Sequence, residues 1–336
     1  MTEAVSGAVL LSAMRNEGPD VLEWVAFHRL IGFGKIVVYT NACSDGSDDL
    51  FDALAALGWV EHHRHQPPAT LAPQDAVAAL ALENPTVRGA EWLLWIDADE
   101  FLNPVAGHLS GLIAAIGAAD GVALNWRNFG DGGHDTAPDD LVLAAFTQAA
   151  PMQHRQSRTV KTLHRMDDRV QSLFIHRPIW RQGAAVRLLA GSGQVLDPQF
   201  VFGQKKNARP AEMLERGDQS YALGQINHYV IKALERVAFK QKLRGNGLMA
   251  GGRSGRFGFG YLRRFNHNDE ADLGIQRHLP ALRGTIAEAL KDRAVAQAYQ
   301  SCQRRFAEML ADLTEITAEL AADRSGAAHA KDETEL

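Results

Sequence analysis

Short apolar runs alternate with helical periodicities over the first hundred residues. Ala8–Met14 (AVLLSAM) and Lys35–Thr40 (KIVVYT) read as buried strands, the second rich in β-branched and aromatic side chains. Between them, after Gly18-Pro19, Val21–Leu30 carries an amphipathic helical pattern. Helix Leu50–Leu57, strand Trp59–Arg64, helix Gln74–Glu83 and strand Trp92–Ile96 continue the alternation. This order predicts an α/β fold: a mostly parallel central sheet with helices on both faces. Ligands of such sheets collect beyond the C-terminal strand ends, so the chemistry is expected there.

From about Gly121 the rhythm changes. Val122–Trp126, Val160–Arg165, Ser172–His176, Val186–Leu189 and Ala222–Val230 read as short strands of a mixed extension. Ile231–Leu243 is helical by period, and Arg244–Gly260 holds seven glycines among basic residues. Ala271–Leu290 and Val295–Leu320 read as long helices. The expected organisation is an α/β half over residues 1–120, an extension of the same domain with a Gly-rich loop over 121–260, C-terminal helices over 261–322 and a disordered tail over 323–336.

Composition narrows the class. The formal net charge of −5 over 336 residues argues against a protein that coats nucleic acid. Cys43 and Cys302 lie far apart and lack C-x-x-C neighbours, which excludes a thiolate zinc site and makes a reducing, cytoplasmic setting the expectation. There is neither a secretory leader nor a run of roughly 20 apolar residues able to span a bilayer, although docking on a membrane face stays open.

The sharpest chemical feature is WLLWIDADEF (Trp92–Phe101), an apolar strand ending in three carboxylates. If the chain stays extended, Asp97 and Asp99 face the same side, where hard oxygen ligands suit Mg²⁺ or Mn²⁺. A solvated acidic loop is the plainer reading, and D-x-D by itself is common. Asn41–Asp49 after the second strand and Arg15-Asn16-Glu17 after the first are polar at the same sheet edge. Asp45 there suits a ribose hydroxyl or base N–H, or else a simple turn ahead of a helix cap. His62, His63 and His65 read as edge composition, Trp92 and Trp95 as core, and Trp126 as a platform for a sugar ring. Gly251-Gly252 through Gly260 lacks a P-loop pattern and reads as a mobile flap.

The segment Ala13–Leu50 followed by WLLWIDADEFL resembles the nucleotide-sugar glycosyltransferases of the GT-A fold, in a bacterial family 2-like branch that also resembles family 92. KTLHR (Lys161–Arg165), HRP (His176–Pro178), Ile226–Gly245 and Phe265–Ile275 extend the likeness. The resemblance implies a nucleotide-sugar donor, UDP-linked by preference, a saccharide or glycan acceptor and inversion at the anomeric carbon. It implies that Glu17 and Asp45 hold the nucleoside, that Asp97 and Asp99 are the D-x-D pair, with Asp99 the more direct ligand, and that His228 completes the metal site. By its residues alone, His228 reads as a core histidine. Arg15, Lys161 and Arg244 are placed to meet the donor, the last two at its diphosphate. Asp131, in NFGDGG (Asn128–Gly133), is the expected general base. The rivals are a sugar nucleotidyltransferase and a non-catalytic carbohydrate-binding protein of the same fold.

Overall fold

The computed structural model describes residues 4–203, 212–245, 247, 249 and 257–332. Strand β1 (Val5–Met14) leads into helix α1 (Gly18–Leu30), followed by β2 (Phe33–Thr40), α2 (Ser47–Ala56), β3 (Glu61–Arg64), α3 (Pro73–Glu83) and β4 (Trp92–Trp95). Next come β5 (Glu100–Pro104), α4 (Leu109–Ile116), β6 (Gly121–Asn128), β7 (Val160–Arg165), β8 (Leu188–Ala190) and β9 (Gly224–His228). Helices α5 (Leu234–Phe239), α6 (Leu279–Ala289), α7 (Arg293–Ala311) and α8 (Thr314–Asp332) complete the framework. The sheet runs β3-β2-β1-β4-β7-β6-β9-β5, with β8 beside β6.

Strands β1 to β4 pair in parallel, as crossover helices require. Ala8 faces Trp92 and Leu11 faces Trp95, so β4 ends three residues before β1 does. Alternation along these strands divides the core. Leu10, Ile36, Val38 and Leu94 pack with Trp24, Val25 and Phe27 of α1 on one face, and Val295 and Cys302 of α7 join the same core. Val9, Leu11, Val37, Leu93 and Trp95 pack with Val77 and Ala81 of α3 on the other face. Helices therefore cover both faces. Beyond β4 the sheet is mixed: β7 runs antiparallel to both β4 and β6, and β9 runs parallel to β6 but antiparallel to β5.

Several expectations change. Strand β4 stops at Trp95, and Asp97–Asp99 form a turn, closed by Glu100 N–H to Asp97 O at 3.1 Å, that feeds β5. The sequence pattern missed β5 because its partner is distant: Glu100 pairs with His228. The strand expected at Ser172–His176 is only Val170–Ser172, paired with Ile179–Trp180. The helix expected over Val295–Leu320 breaks near Asp312 into α7 and α8. Residues 323–332, expected in a disordered tail, continue α8, as their alanine-rich composition favours. Gly251 and Gly252 lie outside the described residues.

Candidate functional site

A crevice opens beyond the C-terminal ends of β1, β2 and β4. One end is lined by Arg15, Asn41 and Gln74, the other by Asp97, Asp99, Trp126, His176 and His228. Gln74, Arg244, Gly245 and Gly247 border both ends and make them continuous. The three polar strand ends thus meet, although not every residue expected to touch a ligand does so.

The D-x-D turn is held from below. Lys161 of β7, wholly buried, places its ammonium 3.0 Å from Asp97 Oδ2 and 3.1 Å from Glu100 Oε2. Glu100 also accepts the Asp97 N–H at 2.8 Å. Burial pushes the Glu100 carboxyl up to about 8, against the pull of Lys161. Burial likewise opposes the Lys161 charge, yet Asp97 and Glu100 outweigh it and raise its pKa. Lys161 is therefore consumed beneath the turn. None of its side chain is exposed, so its ammonium faces the two acids and not the crevice. Gln74 Nε2 donates to Asp97 Oδ1 at 2.9 Å from the crevice side.

Asp99 is more deeply buried. Lys240 Nζ donates to its Oδ2 at 2.6 Å and to the Val230 carbonyl at 2.8 Å. Burial acts to raise the Asp99 carboxyl, but the neighbouring cations, Lys240 foremost, hold it well below the usual carboxylate range. On the other side, His228 Nε2 lies 3.7 Å from Asp99 Oδ1. The second ring nitrogen, Nδ1, is 3.0 Å from Asn128 Oδ1, an acceptor, so Nδ1 carries the proton and Nε2 presents a lone pair. Burial drives the His228 pKa down to about 3, with Asp99 opposing, and the ring is neutral. Two electron-pair donors therefore face each other with no proton between them. Such a pair fits a cation. Among the described residues no set of three His, Cys, Asp or Glu gathers, so other ligands to such an ion would come from water or substrate.

At the opposite end Arg15 extends from the end of β1, its buried Nε without a hydrogen-bond partner among the described residues. Arg244 pairs through Nε with Glu17 Oε1. Burial raises the Glu17 carboxyl, with Arg244 opposing. Glu17 is thus buried and engaged by Arg244, which itself borders the crevice. Asn16, at a left-handed φ of 53°, accepts the Ser44 N–H at 2.7 Å and ties the loops after β1 and β2 together.

Two expected contacts belong elsewhere. Asp45 is fully buried; its Oδ2 accepts Gly18 N–H at 2.7 Å and its Oδ1 accepts Ser47 N–H at 2.9 Å. Both oxygens are spent on the starts of α1 and α2, so Asp45 shapes the crevice edge without lining it. Gly18 makes this approach possible, since a Cβ there would stand 2.9 Å from Asp45 Oδ2. Asp131 is also buried, and Arg324 Nη1 of α8 bonds its Oδ2 at 2.7 Å. Asn266 and Asn268 donate to it at 2.9 and 3.1 Å, and the Gly133 N–H at 2.9 Å. Both oxygens of the expected base are therefore engaged in this structure. The sequence reading assigned no role to Lys240 or Gln74 and counted Glu100 only among the three carboxylates of the strand end. Lys240 lies in the charged run KQKLR, where nothing local marks it as the partner of a buried acid. His62 and His63 pair with Asp52 and Glu61, in keeping with edge composition. Trp126 lines the crevice, its ring 4.1 Å from that of His228.

Comparison with known proteins becomes informative with this geometry in view. Over 158 residues, 45% of this chain and 28% of the other, the sequence is 27% identical to a glycosyltransferase family 92 protein of Ricinus communis. The chain resembles nucleotide-sugar glycosyltransferases. It spans little more than a quarter of the length of that curated relative. No family model matches. Among solved structures, S. aureus TarS 1–349 in complex with UDP is similar at a TM-score of 0.32 and 10% identity, over 47% of this chain and 46% of that one. The Mn/GDP form of core-mannan synthase A from Aspergillus fumigatus is similar at a TM-score of 0.24 and 8% identity, over 39% and 44%. No helix of the described residues is long and apolar enough to cross a membrane.

Proposed function

We propose that the protein transfers a sugar from a nucleoside-diphosphate donor, UDP-linked by preference, to a saccharide hydroxyl, with inversion and with a divalent cation, Mn²⁺ before Mg²⁺. The observation that carries this reading is the crevice itself. Arg15, whose Nε has no hydrogen-bond partner among the described residues, stands at one end, and the His228 lone pair faces Asp99 Oδ1 across 3.7 Å at the other. The nucleoside fits the Arg15–Asn41 end, and the diphosphate then runs toward Asp99. Asp99 and His228 would hold the ion, which when bound neutralises charge growing on the leaving diphosphate. A neutral imidazole ligand favours Mn²⁺ over Mg²⁺.

The chain's own groups do the rest. Asn128 fixes the His228 tautomer, Lys161 and Glu100 hold the D-x-D turn, and Arg15 and Arg244 offer positive charge to the phosphates. Trp126 gives the sugar an aromatic wall.

The test is hydrolysis and transfer with UDP-, GDP- and dTDP-sugars in the presence of Mn²⁺. Expected are release of a nucleoside diphosphate, loss of activity on chelation, and a drop of about a hundredfold or more in Asp99→Asn and His228→Ala. Pyrophosphate release from a nucleoside triphosphate would instead mark a nucleotidyltransferase, and donor binding without turnover a binding protein.

A further inference from the structure

Lys240 is the surprise of the site. It lies 141 positions beyond Asp99 in the chain, and its ammonium is almost wholly buried against the Asp99 carboxylate. It begins a π-turn, Lys240–Arg244, that continues α5 and ends at Gly245, whose φ of 75° only glycine adopts freely. Such wide turns are weakly held and recur at functional sites. The same turn carries Arg244 to Glu17, while the Leu243 carbonyl accepts from Asn16 at 3.4 Å. One short element therefore delivers one cation to Asp99 and another to Glu17.

A divalent cation at Asp99 Oδ1 would sit beside the Lys240 ammonium already on Oδ2, so two positive charges would repel across one carboxylate in a dry pocket. Resting on the donor reading above, we propose that Lys240 is an exchangeable counter-ion. It neutralises Asp99 while the crevice is empty, yields the carboxylate to the divalent cation, and moves its ammonium onto the donor diphosphate. A lysine suits this exchange, being a point charge on a flexible four-carbon stem. A displaced ammonium left without an anion in a buried site is costly, and the diphosphate supplies that anion. Metal and nucleotide then bind cooperatively, and a lone metal ion is resisted. Once Asp99 is taken, the neutral Val230 carbonyl at 2.8 Å still accepts from the ammonium but offers it no counter-charge.

The experiment is a titration of the full chain with Mn²⁺ at neutral pH, free ion being counted by electron paramagnetic resonance, without nucleotide and with saturating UDP or GDP. For the natural chain, nucleotide should tighten Mn²⁺ binding by about tenfold or more. Lys240→Met should bind Mn²⁺ without nucleotide about tenfold more tightly than the natural chain, and nucleotide should then add less. Lys240→Gln keeps an uncharged donor for Asp99 and Val230, and it should show the same change if the methionine variant folds poorly. Adding Asp99→Asn should abolish the gain. The proposal is overturned if the folded variants bind Mn²⁺ no more tightly than the natural chain, or if the gain survives Asp99→Asn. Failure of UDP and GDP to bind any of these proteins would sink the donor reading instead, and the nucleotide-free comparison would still decide the role of Lys240.

Discussion

The carboxylate of Asp45 accepts the Gly18 backbone N–H at 2.7 Å, joining the turn before α2 to the first residue of α1. With Ser47 N–H at 2.9 Å on its other oxygen, this one side chain organises two helix starts at the crevice edge. Asp45→Ala strands both donors in a fully buried place. It should cost about 3 kcal/mol of stability by chemical denaturation, since hydrogen bonds to a charged group are worth about 1.5–3 kcal/mol each. Asp45→Asn, which keeps one acceptor, should cost less. Nucleotide affinity in the folded variants should fall only as far as the crevice edge loosens. A variant of unchanged stability with abolished nucleotide binding would return Asp45 to direct contact.

Asp131 and Arg324 form a second clamp, between the loop after β6 and helix α8. Asp131→Asn should retain transfer within a few-fold while lowering the melting temperature, and Arg324→Ala should do the same. Removing a true general base costs about a hundredfold or more in kcat. A loss of that size in Asp131→Asn at intact stability would contradict the structural role.

Lys161 supports the D-x-D turn from a position without solvent. Lys161→Met leaves Asp97 and Glu100 facing each other with no cation between, and breaking a buried pair in this way typically costs about 3–5 kcal/mol. The double variant Lys161→Met with Glu100→Gln should regain much of that loss. Thermal denaturation of the two single variants and the double reads the coupling directly.

Acid should unfold the protein through its buried histidines. His28 is wholly buried, its Nδ1 on the Trp24 carbonyl at 2.8 Å, and burial drives its pKa down to about 3; His164 is driven to about 4 for the same reason. A base whose folded pKa lies below its unfolded value adds stability that is complete above the unfolded pKa and is lost as pH falls toward the folded one. The window here runs from 6.5 down to about 3 for His28 and about 4 for His164. Each should cost about 2–3 kcal/mol by about pH 4.5. Urea titrations across this range should show a flatter pH dependence in His28→Gln. An identical slope would show that His28 does not titrate with folding.

What the chain determined by itself was the alternating half. Runs such as AVLLSAM and KIVVYT are buried on both faces, and their turns are local, so periodicity alone places β1 to β4, the helices between them and the polar strand ends of the crevice. The D-x-D acids were legible for the same reason: carboxylates directly after an apolar strand stand out.

Only the tertiary structure decided which charges meet. Lys161 reaches Asp97 from 64 positions away, Lys240 reaches Asp99 from 141, and Arg324 reaches Asp131 from 193. No local pattern records such pairs, because a lysine or arginine side chain looks alike in sequence whether it is solvated or buried on an acid. The same distance hid β5, whose partner β9 lies more than a hundred residues on, and it hid the Arg324 partner of Asp131, the expected base. Charge pairing across a folded sheet is a property of the closed chain, where burial makes an unpaired ion costly and so selects partners that sequence spacing cannot show.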